Sequence, residues 1–477
     1  MGRSFAWMFM VATLGLGALA GAAPLPAGSA ADAGFSEARL ARIDAHMNAA
    51  VAAGEMVGGM GLIARDGKVI YRGHWGVANR ETGQPLNDET IFRWYSMSKP
   101  ITSAALMMLH EEGRFALNDP IAKYLPELAN VEVARSTADS ALAIFSDGTQ
   151  TRTVGTGDAS LEGQRRPPST RQPTIHDLLR HTAGFGYGPF GRTEVDALYR
   201  KAGFPSFPGD LKAFVETLGT LPLQYDPGTK WHYSVAVAVQ GRLIEVLTGQ
   251  RFGAFLEERL FGPLGMDTAG FRVAPENLGR FAELYAPKGV SPKGFGERPT
   301  EAGLVVANPA ISKGYIEGTP LESGGIGMVG TADEYLKFAQ MMLNEGILDG
   351  TRFLGPKTVK LMTQNHLGEV PMGLGRRGHG FGLGVSVVID PPHTETVSSL
   401  GEYGWGGAAG TTFWVDPQEN IVGVFMVQSL PHLTRLKDAF KVLTYQALME
   451  SRAPYGRARG DGAAERTRTS TGLPTGT

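Results

Sequence analysis

Two side chains just before residue 100 have the types and spacing needed for acyl transfer. Ser96 and Lys99 stand three residues apart in FRWYSMSKPITSAALMMLHEEGR, residues 92–114. A serine hydroxyl is a weak nucleophile until a base removes its proton, and a lysine is a base only when its amine is neutral. Burial in a closed cleft lowers the pKa of a lysine. The pair therefore predicts nucleophilic catalysis if the fold buries it.

The residues after Ser96 predict a helix that would hold this pair. Pro100 is tolerated only in a first turn, so the helix should begin at about Ser96 or Met97 and end near Gly113. Residues three apart share a helix face, and the free N–H groups of a helix N-terminus favour developing negative charge. The same pattern also fits an ordinary helix start with a solvated lysine. One buried face is predicted by apolar residues at helical spacing: Ile101, Ala104, Ala105, Met108 and Leu109.

Companion segments help to decide between these two interpretations. YDPGTKWHYSV, residues 225–235, places Tyr233 at a loop-to-helix corner, from which a tyrosine can point into a cleft. YGWGGAAGTTFWVDP, residues 403–417, places Gly406 and Gly407 at the start of a predicted strand, where backbone can approach a ligand closely. Taken singly, the first fits a packing tyrosine and the second a β-bulge.

As an ordered set, these motifs make the chain resemble the serine β-lactamase and penicillin-binding-protein superfamily. The resemblance is nearest to class C β-lactamases and family VIII carboxylesterases, and it runs from about residue 36 to 450. It rests on S-M-S-K at 96–99, Y-S-V at 233–235 and W-G-G at 405–407. Three further segments reinforce it: LLRHTAG at 178–184, FGPLGMDTAGF at 261–271 and SGGIGMVGTADEYLKF at 323–338.

The resemblance implies a role for each matching residue. Ser96 matches the acylated nucleophile, Lys99 its base partner, and Tyr233 a second proton-transfer residue. Free lysine and tyrosine side chains both have a pKa near 10, so the proximity of Lys99 and Tyr233 is expected to lower both values.

The strand motif carries the other implied roles. Trp405, Gly406 and Gly407 match by position the Lys-Thr-Gly strand of β-lactamases and would bind substrate. The oxyanion hole would then be the backbone N–H groups of Ser96 and Ala408.

Two departures from the β-lactamase pattern concern the substrate. The lysine that helps to bind a substrate carboxylate in that family is Trp405 here, and the asparagine that binds the substrate amide is Val235. Both changes remove polar anchors and leave an apolar pocket, and W-x-G is a form seen in family VIII esterases. The predicted function is therefore hydrolysis of carboxylic esters, with short acyl chains favoured.

Several alternatives stay open at this stage. A β-lactamase, a D-amino-acid peptidase and an amide hydrolase belong to the same superfamily, and a catalytically silent binding protein would use the same cleft. An α/β-hydrolase is excluded because no G-x-S-x-G occurs. The dinucleotide-like pattern Gly325-x-Gly327-x-x-Gly330 lacks a βαβ setting and is interpreted as a glycine turn near the cleft.

Hydrophobic patterning predicts an α+β fold, and the family resemblance implies that this fold is of the β-lactamase/DD-peptidase type. Strand patterns occupy both ends of the chain, with Asp66-Gly67 as a hairpin turn, and helical patterns lie between. The expected arrangement is an antiparallel sheet flanked by helices. The sheet subdomain is predicted at about 36–95 and 330–450, and a mostly helical subdomain at about 96–329.

Composition limits the possible partners. The chain has no cysteine, and its ten histidines include no HExxH, so neither a metal site nor a cofactor is expected. The formal net charge of −2 gives no basic surplus for nucleic acid. The expected partner is a small-molecule ester or amide, and the oligomeric state is left open.

Both ends of the chain lie outside the predicted hydrolase domain. Residues 1–22 read as a secretory signal peptide, which predicts a periplasmic or secreted protein without a membrane span after cleavage. Residues 452–477 lack a core-forming pattern and are expected to be disordered. The polar segment 131–170 is expected to be an inserted hairpin or a mobile loop.

Overall fold

The computed structural model describes residues 23–134, 167–189, 191, 193–290 and 302–452. The predicted signal peptide lies outside these residues, as do the predicted tail beyond residue 452 and most of the polar segment 131–170.

The strands are mostly short, apart from the N-terminal hairpin and the last strand. In chain order they are β1 (Gly58–Arg65), β2 (Lys68–Asn79), β3 (Gln84–Pro85), β4 (Phe92–Arg93), β5 (Tyr285–Pro287), β6 (Leu304–Val306), β7 (Val329–Gly330), β8 (Ile347–Leu348), β9 (Thr351–Arg352), β10 (His379–Phe381), β11 (Ser386–Val388), β12 (Tyr403–Gly406), β13 (Thr412–Asp416) and β14 (Ile421–Val427).

The helices fill the middle of the chain and also flank it at both ends. They are α1 (Glu37–Ala52), α2 (Ser98–Glu111), α3 (Ile175–Leu179), α4 (Glu194–Lys201), α5 (Leu211–Leu218), α6 (Ala236–Thr248), α7 (Phe252–Leu256), α8 (Gly262–Leu264), α9 (Lys313–Glu317), α10 (Ala332–Leu343), α11 (Pro356–Met362) and α12 (Leu436–Ala447). Over the described part of the chain, none of them has the length and apolar character needed to cross a membrane.

One antiparallel sheet joins the two ends of the chain, as predicted. Its strand order is β10-β11-β12-β13-β14-β1-β2-β3. The last strand, β14, pairs with the first, β1, so Gly59 lies opposite Val427 and Arg65 opposite Ile421. Asp66 and Gly67 both have positive φ, at 54° and 72°, which matches the two-residue turn expected between β1 and β2.

Each face of the sheet is covered by helices. On the outer face, α1 and α12 bury a cluster that includes Met47, Trp75, Phe425 and Phe440. On the inner face, α10 packs against β1, β13 and β14, and α2 packs against α6. Helices α2 to α9 follow β4 and precede β7, where the inserted helical part was expected, and its exact boundaries stay a prediction.

One strand boundary was predicted wrongly. Gly406 ends β12, and Gly407 lies in the turn to β13, so these two glycines do not begin a strand. The strand begins earlier because Tyr403 and Trp405 alternate with glycines and turn their side chains into the inner core.

Candidate active site

The turn before α2 holds Ser96 in a fixed position. Residues 95–97 form one 3₁₀ turn and α2 starts at Ser98, two residues later than the earlier of the two expected starts. The side chains of Trp94 and Met97 are fully buried on either side of the serine. Tyr335 Oη donates a hydrogen bond of 2.8 Å to the Met97 carbonyl oxygen. Packing and hydrogen bonding together therefore restrain the serine backbone.

Tyr95, immediately before the serine, has a left-handed backbone. Its φ is +48°, a region that a bulky side chain rarely adopts and that costs on the order of 1–3 kcal/mol. Residues in such conformations persist only where the surrounding structure imposes them, and they cluster at functional sites. The backbone at Tyr95 thus supports a functional interpretation of the next residue.

Lys99 reaches back from the first turn of α2 to Ser96, as its spacing predicts. Lys99 Nζ lies 3.1 Å from Ser96 Oγ and donates to the carbonyl oxygen of Gly325 at 2.7 Å. The lysine is 1% exposed, and among the described residues no carboxylate forms an ion pair with it. Burial holds the pKa of Lys99 well below its usual value. A neutral amine at this position can accept the serine proton.

Tyr233 approaches the same oxygen from the corner before α6. Its phenol donates a 2.7 Å hydrogen bond to Ser96 Oγ. The expectation of a lowered tyrosine pKa was wrong, because burial raises the pKa of Tyr233 to about 12, although the Ser96 hydrogen bond acts in the opposite direction. The phenol therefore stays protonated at neutral pH and is suited to donate rather than accept a proton.

Aromatic rings enclose this group of three residues. Tyr187 stacks on Tyr233 with 5.3 Å between ring centroids, and Trp405 lies 5.5 Å from Tyr233. Lys99 Nζ lies 4.6 Å from the centroid of the Tyr233 ring. The walls are thus mainly apolar, which accounts for the burial that shifts both pKa values.

His181, from the LLRHTAG segment, packs behind Tyr233 with 5.1 Å between ring centroids. Its Nδ1 lies 3.3 Å from Ser234 Oγ, and burial holds its pKa well below the usual value. The motif that contains His181 was recognised from the sequence, but neither His181 nor Tyr187 was assigned to the site.

The strand motif lies beside the serine turn. A Cβ on Gly407 would come within 2.5 Å of the Trp94 carbonyl oxygen, so only glycine permits this approach. Ala408 is partly buried and packs in the same small cluster as Tyr95. The oxyanion-hole role of the Ser96 and Ala408 N–H groups stays a prediction.

Two residues assigned to substrate binding are buried near the reacting groups. Trp405 is a ring neighbour of Tyr233, and Val235 follows that tyrosine at the N-terminus of α6. The Val235 N–H donates to the Gly186 carbonyl oxygen at 3.2 Å. Both positions present apolar side chains, as their residue types indicate.

The glycine-rich segment near residue 325 supplies a contact that sequence reasoning did not assign. It was expected to form a turn near the cleft, and it places the Gly325 carbonyl oxygen on Lys99 Nζ. By accepting this hydrogen bond, the Gly325 carbonyl oxygen can orient the Lys99 amine so that the lone pair on Nζ faces Ser96. Any residue can supply a backbone carbonyl oxygen, so the sequence does not reveal this contact. It indicated only that the glycine-rich turn lies near the cleft.

The chain is similar to known proteins over most of its length. A model of the beta-lactamase family matches residues 43–446. Esterase EstB of Burkholderia gladioli is 31% identical over 385 residues, which cover 79% of this chain and 87% of EstB. Protein Rv1367c of Mycobacterium tuberculosis is 30% identical over 394 residues, covering 80% of this chain and 88% of that protein.

A solved structure extends the similarity to the fold. EstCE1, described as a hydrolase with promiscuous acyltransferase activity, superposes with a TM-score of 0.66 at 26% identity. The match covers 87% of this chain and 99% of EstCE1.

Proposed function

The chain belongs to the beta-lactamase family, and from this we propose that it is a serine carboxylesterase that acts through an acyl-enzyme on Ser96. The superfamily and fold expected from the motifs are thereby confirmed, and the family is one of hydrolases. The esterase assignment, the short acyl chain and the residue roles go beyond that and make up the proposal.

One observation carries the proposal. Ser96 Oγ lies within hydrogen-bond distance of both Lys99 Nζ, at 3.1 Å, and Tyr233 Oη, at 2.7 Å. The lysine is buried without a carboxylate partner in the described structure, and burial lowers its pKa, which favours the neutral, basic amine. A serine flanked by a neutral base and a protonated phenol has both groups that acyl transfer requires.

The first half of the mechanism forms the acyl-enzyme. Lys99 accepts the hydroxyl proton while Ser96 Oγ attacks the ester carbonyl carbon, and the oxyanion faces the N–H groups of Ser96 and Ala408. When the carbon–oxygen bond to the alcohol breaks, the Tyr233 phenol donates its proton to the departing alkoxide. Tyr233 then regains a proton from the Lys99 ammonium.

The second half returns the enzyme to its starting state. Water attacks the acyl carbon and gives a proton to Lys99, the bond between that carbon and Ser96 Oγ breaks, and Ser96 Oγ takes the proton from the Lys99 ammonium. The carboxylic acid is released. No residue changes its net protonation over the cycle, so the mechanism balances.

The nature of the pocket favours esters over β-lactams. Trp405 and Val235 occupy the positions at which the β-lactamase pattern has polar anchors, and both are buried, Trp405 against the ring of Tyr233. The naming of two similar proteins as esterase EstB and the hydrolase EstCE1 supports the same choice.

The test compares Ser96→Ala with a matched control, Ser98→Ala. Ser98 belongs to the same motif, but its Oγ accepts a hydrogen bond from the Met328 N–H and does not face the site. A fluorophosphonate should label the wild type and Ser98→Ala but not Ser96→Ala. Hydrolysis of p-nitrophenyl butyrate should follow the same pattern.

Two results would contradict the proposal. Labelling of a residue other than Ser96 would refute the nucleophile assignment. Turnover of a chromogenic cephalosporin as fast as that of p-nitrophenyl butyrate would favour a β-lactamase instead.

We also propose that the protein is exported. The support is the charge and apolar pattern of residues 1–22. N-terminal sequencing of the mature protein should find a start near Ala23, whereas an intact Met1 in the soluble fraction would contradict cleavage.

A further inference from the structure

Two backbone turns lie side by side at the candidate site, and each contains one of the N–H groups assigned to the oxyanion hole. The first is the 3₁₀ turn of residues 95–97, which holds Ser96. The second joins β12 to β13 at residues 407–411 and holds Ala408. Because these turns are far apart in the chain, a contact between them has to fix the spacing of the two N–H groups.

The side chain of Thr411 makes such a contact. Its Oγ1 donates a hydrogen bond of 3.3 Å to the carbonyl oxygen of Trp94. The Met97 N–H donates to the same oxygen at 3.1 Å and closes the turn around Ser96. One carbonyl oxygen therefore accepts both the hydrogen bond that forms the serine turn and the hydrogen bond that ties the second turn to it.

The orientation of this carbonyl group matters because of the residues that follow it. The Trp94 carbonyl belongs to the same peptide unit as the Tyr95 N–H, and the φ of Tyr95 is +48°. A left-handed conformation at a bulky residue persists only where the surrounding structure imposes it. The two hydrogen bonds at the Trp94 oxygen restrain that peptide unit, and Ser96 is the next residue along the chain.

The second turn has the shape that this contact requires. The Gly407 N–H donates to the Thr411 carbonyl oxygen at 2.7 Å and closes the turn around Ala408. A Cβ on Gly407 would lie 2.2 Å from Thr411 Oγ1 and 2.5 Å from the Trp94 carbonyl oxygen. Any side chain at this glycine would therefore push the two turns apart.

Burial and hydrogen bonding distinguish the parts of this turn. Thr411 is fully buried, so water cannot replace its hydrogen bond to the serine turn. The Ser429 N–H donates to the Ala409 carbonyl oxygen at 3.0 Å and anchors the turn beyond the end of β14. Within the described ranges, the Ala408 N–H donates no hydrogen bond and is thus available to a ligand.

We propose that Thr411 is a positioning residue that holds the Ala408 N–H beside the Ser96 N–H, so that both donate to the oxyanion of the transition state. This inference rests on the proposed esterase function and adds a residue to it. An oxyanion hole stabilises charge only if its donors already lie where that charge develops. Thr411 acts through the two turns and makes no contact with the reacting atoms.

The experiment compares Thr411→Val with Thr412→Val in the full-length enzyme. Thr412 is the matched control, because its Oγ1 also donates to a backbone carbonyl oxygen at 3.3 Å, but that oxygen belongs to Trp405 on the neighbouring strand. Both substitutions remove one hydroxyl and keep the branched shape of the side chain. Hydrolysis of p-nitrophenyl butyrate gives kcat and KM, and active-site titration with a fluorophosphonate gives the concentration of folded enzyme.

A second probe reports on the oxyanion hole itself. 1-Butaneboronic acid adds to a serine oxygen and forms a tetrahedral adduct that resembles the transition state in shape and charge. Its inhibition constant therefore depends on where the oxyanion donors lie. A change in substrate binding alone would appear in KM instead.

Thr411→Val should lower kcat about tenfold, because loss of a whole oxyanion donor costs about 10²–10³-fold and here the donors are only displaced. The inhibition constant of the boronic acid should rise in parallel, and KM should stay close to that of the wild type. Thr411→Ser keeps the hydroxyl and should restore kcat, and Thr412→Val should match the wild type. Thr411→Ala removes the same hydroxyl from a smaller side chain and tests the inference even if valine disturbs the packing.

An unchanged kcat in both Thr411→Val and Thr411→Ala would overturn the inference. So would a fall in kcat without a change in the boronic acid inhibition constant, since the hydroxyl would then act on something other than the oxyanion donors. An equal loss in Thr412→Val would also contradict it. The proposed function fails differently, through a wild type that hydrolyses no ester or through hydrolysis that survives Ser96→Ala.

Discussion

The two faces of the sheet carry similar groups of polar side chains, which differ in their acceptor and in how deeply the lysine is buried. On the inner face, Lys99 and Tyr233 both contact Ser96 Oγ. On the outer face, Lys441 and Tyr445 both contact the buried carboxylate of Glu402. Each group therefore has a lysine and a tyrosine around one acceptor.

The acceptor decides what the lysine does. Glu402 supplies a countercharge, so Lys441 forms an ion pair and ties α12 to the sheet. Ser96 supplies only a hydroxyl, so burial drives Lys99 toward its neutral form. We therefore expect a lysine beside a carboxylate to stabilise the fold, and a buried lysine beside only a hydroxyl to act as a base.

The largest expected effect is on activity, from Lys99→Met. Removal of the base should lower kcat by about 10³–10⁴-fold, within the range for general-base catalysis. Thermal stability should stay the same or rise, because methionine fills a similar volume without a buried amine. Stopped assays with p-nitrophenyl butyrate measure kcat, and a melting curve measures the thermal stability. A large loss of stability would show that Lys99 is needed for packing.

The matched substitution on the outer face should have the opposite outcome. In Lys441→Met the buried Glu402 carboxyl takes up a proton, and loss of its charged hydrogen bond to Lys441 should cost about 1.5–3 kcal/mol of folding free energy. The kcat of the folded fraction should be unchanged. Urea denaturation and active-site titration measure the two quantities. A fall in kcat without a change in the free energy of unfolding would show that Lys441 contributes to catalysis. The proposed difference between Lys441 and Lys99 would then be wrong.

Tyr233→Phe tests the donor next to the serine. Loss of the phenol should lower kcat by about 10²-fold, the lower range for a proton donor in the transition state. The loss should be greater for alkyl esters than for p-nitrophenyl esters, because a poor leaving group needs protonation more. Equal losses on both classes would indicate that Tyr233 positions Ser96 without donating to the leaving alcohol.

The smallest expected effect is a pH dependence of the free energy of unfolding. It comes from Glu402, which lies with Lys441 and Tyr445 on the outer face. Burial raises the pKa of Glu402 to about 7, although Lys441 acts in the opposite direction. The folded state therefore holds this proton more tightly than the unfolded state. The resulting stabilisation is complete below about pH 4.5 and is lost as the pH rises to about 7.

Glu402→Gln removes this titration, so the stability of the wild type relative to the variant should decline over that pH range. Melting curves of both proteins between pH 4.5 and 8 provide the measurement. A constant difference between them would show that Glu402 does not titrate in this range.

Several features of the site were predictable because they depend on local spacing. The contact between Ser96 and Lys99 follows from their three-residue spacing across the 3₁₀ turn and the start of α2, and the motif order linked Tyr233 to them. The hairpin turn and the pairing of terminal strands in one sheet followed from alternation and turn residues.

Other features depend on packing between distant segments. Gly325 lies 226 residues from Lys99, and no local pattern reports that its carbonyl oxygen points at the amine. The pKa of Tyr233 changes in the direction opposite to the prediction because burial, which is a property of the whole fold, outweighs the neighbouring groups. Arg376, from the loop before β10, lies 5.2 Å from the centroid of the Trp405 ring, and no local pattern reports this contact.

The pairing of β1 with β14 has a consequence for the order in which the protein forms. The hairpin of β1 and β2 leaves the ribosome early, but its other edge is completed only by residues 421–427. Phe35 also pairs with Leu448, and Arg65 donates to the carbonyl oxygens of Ala33 and Glu450. Because such long-range contacts form slowly, the sheet that supports Ser96 should be assembled only after synthesis is nearly finished. The hydrolase therefore becomes active as a whole, and a ribosome-bound chain that stops before β14 should be inert.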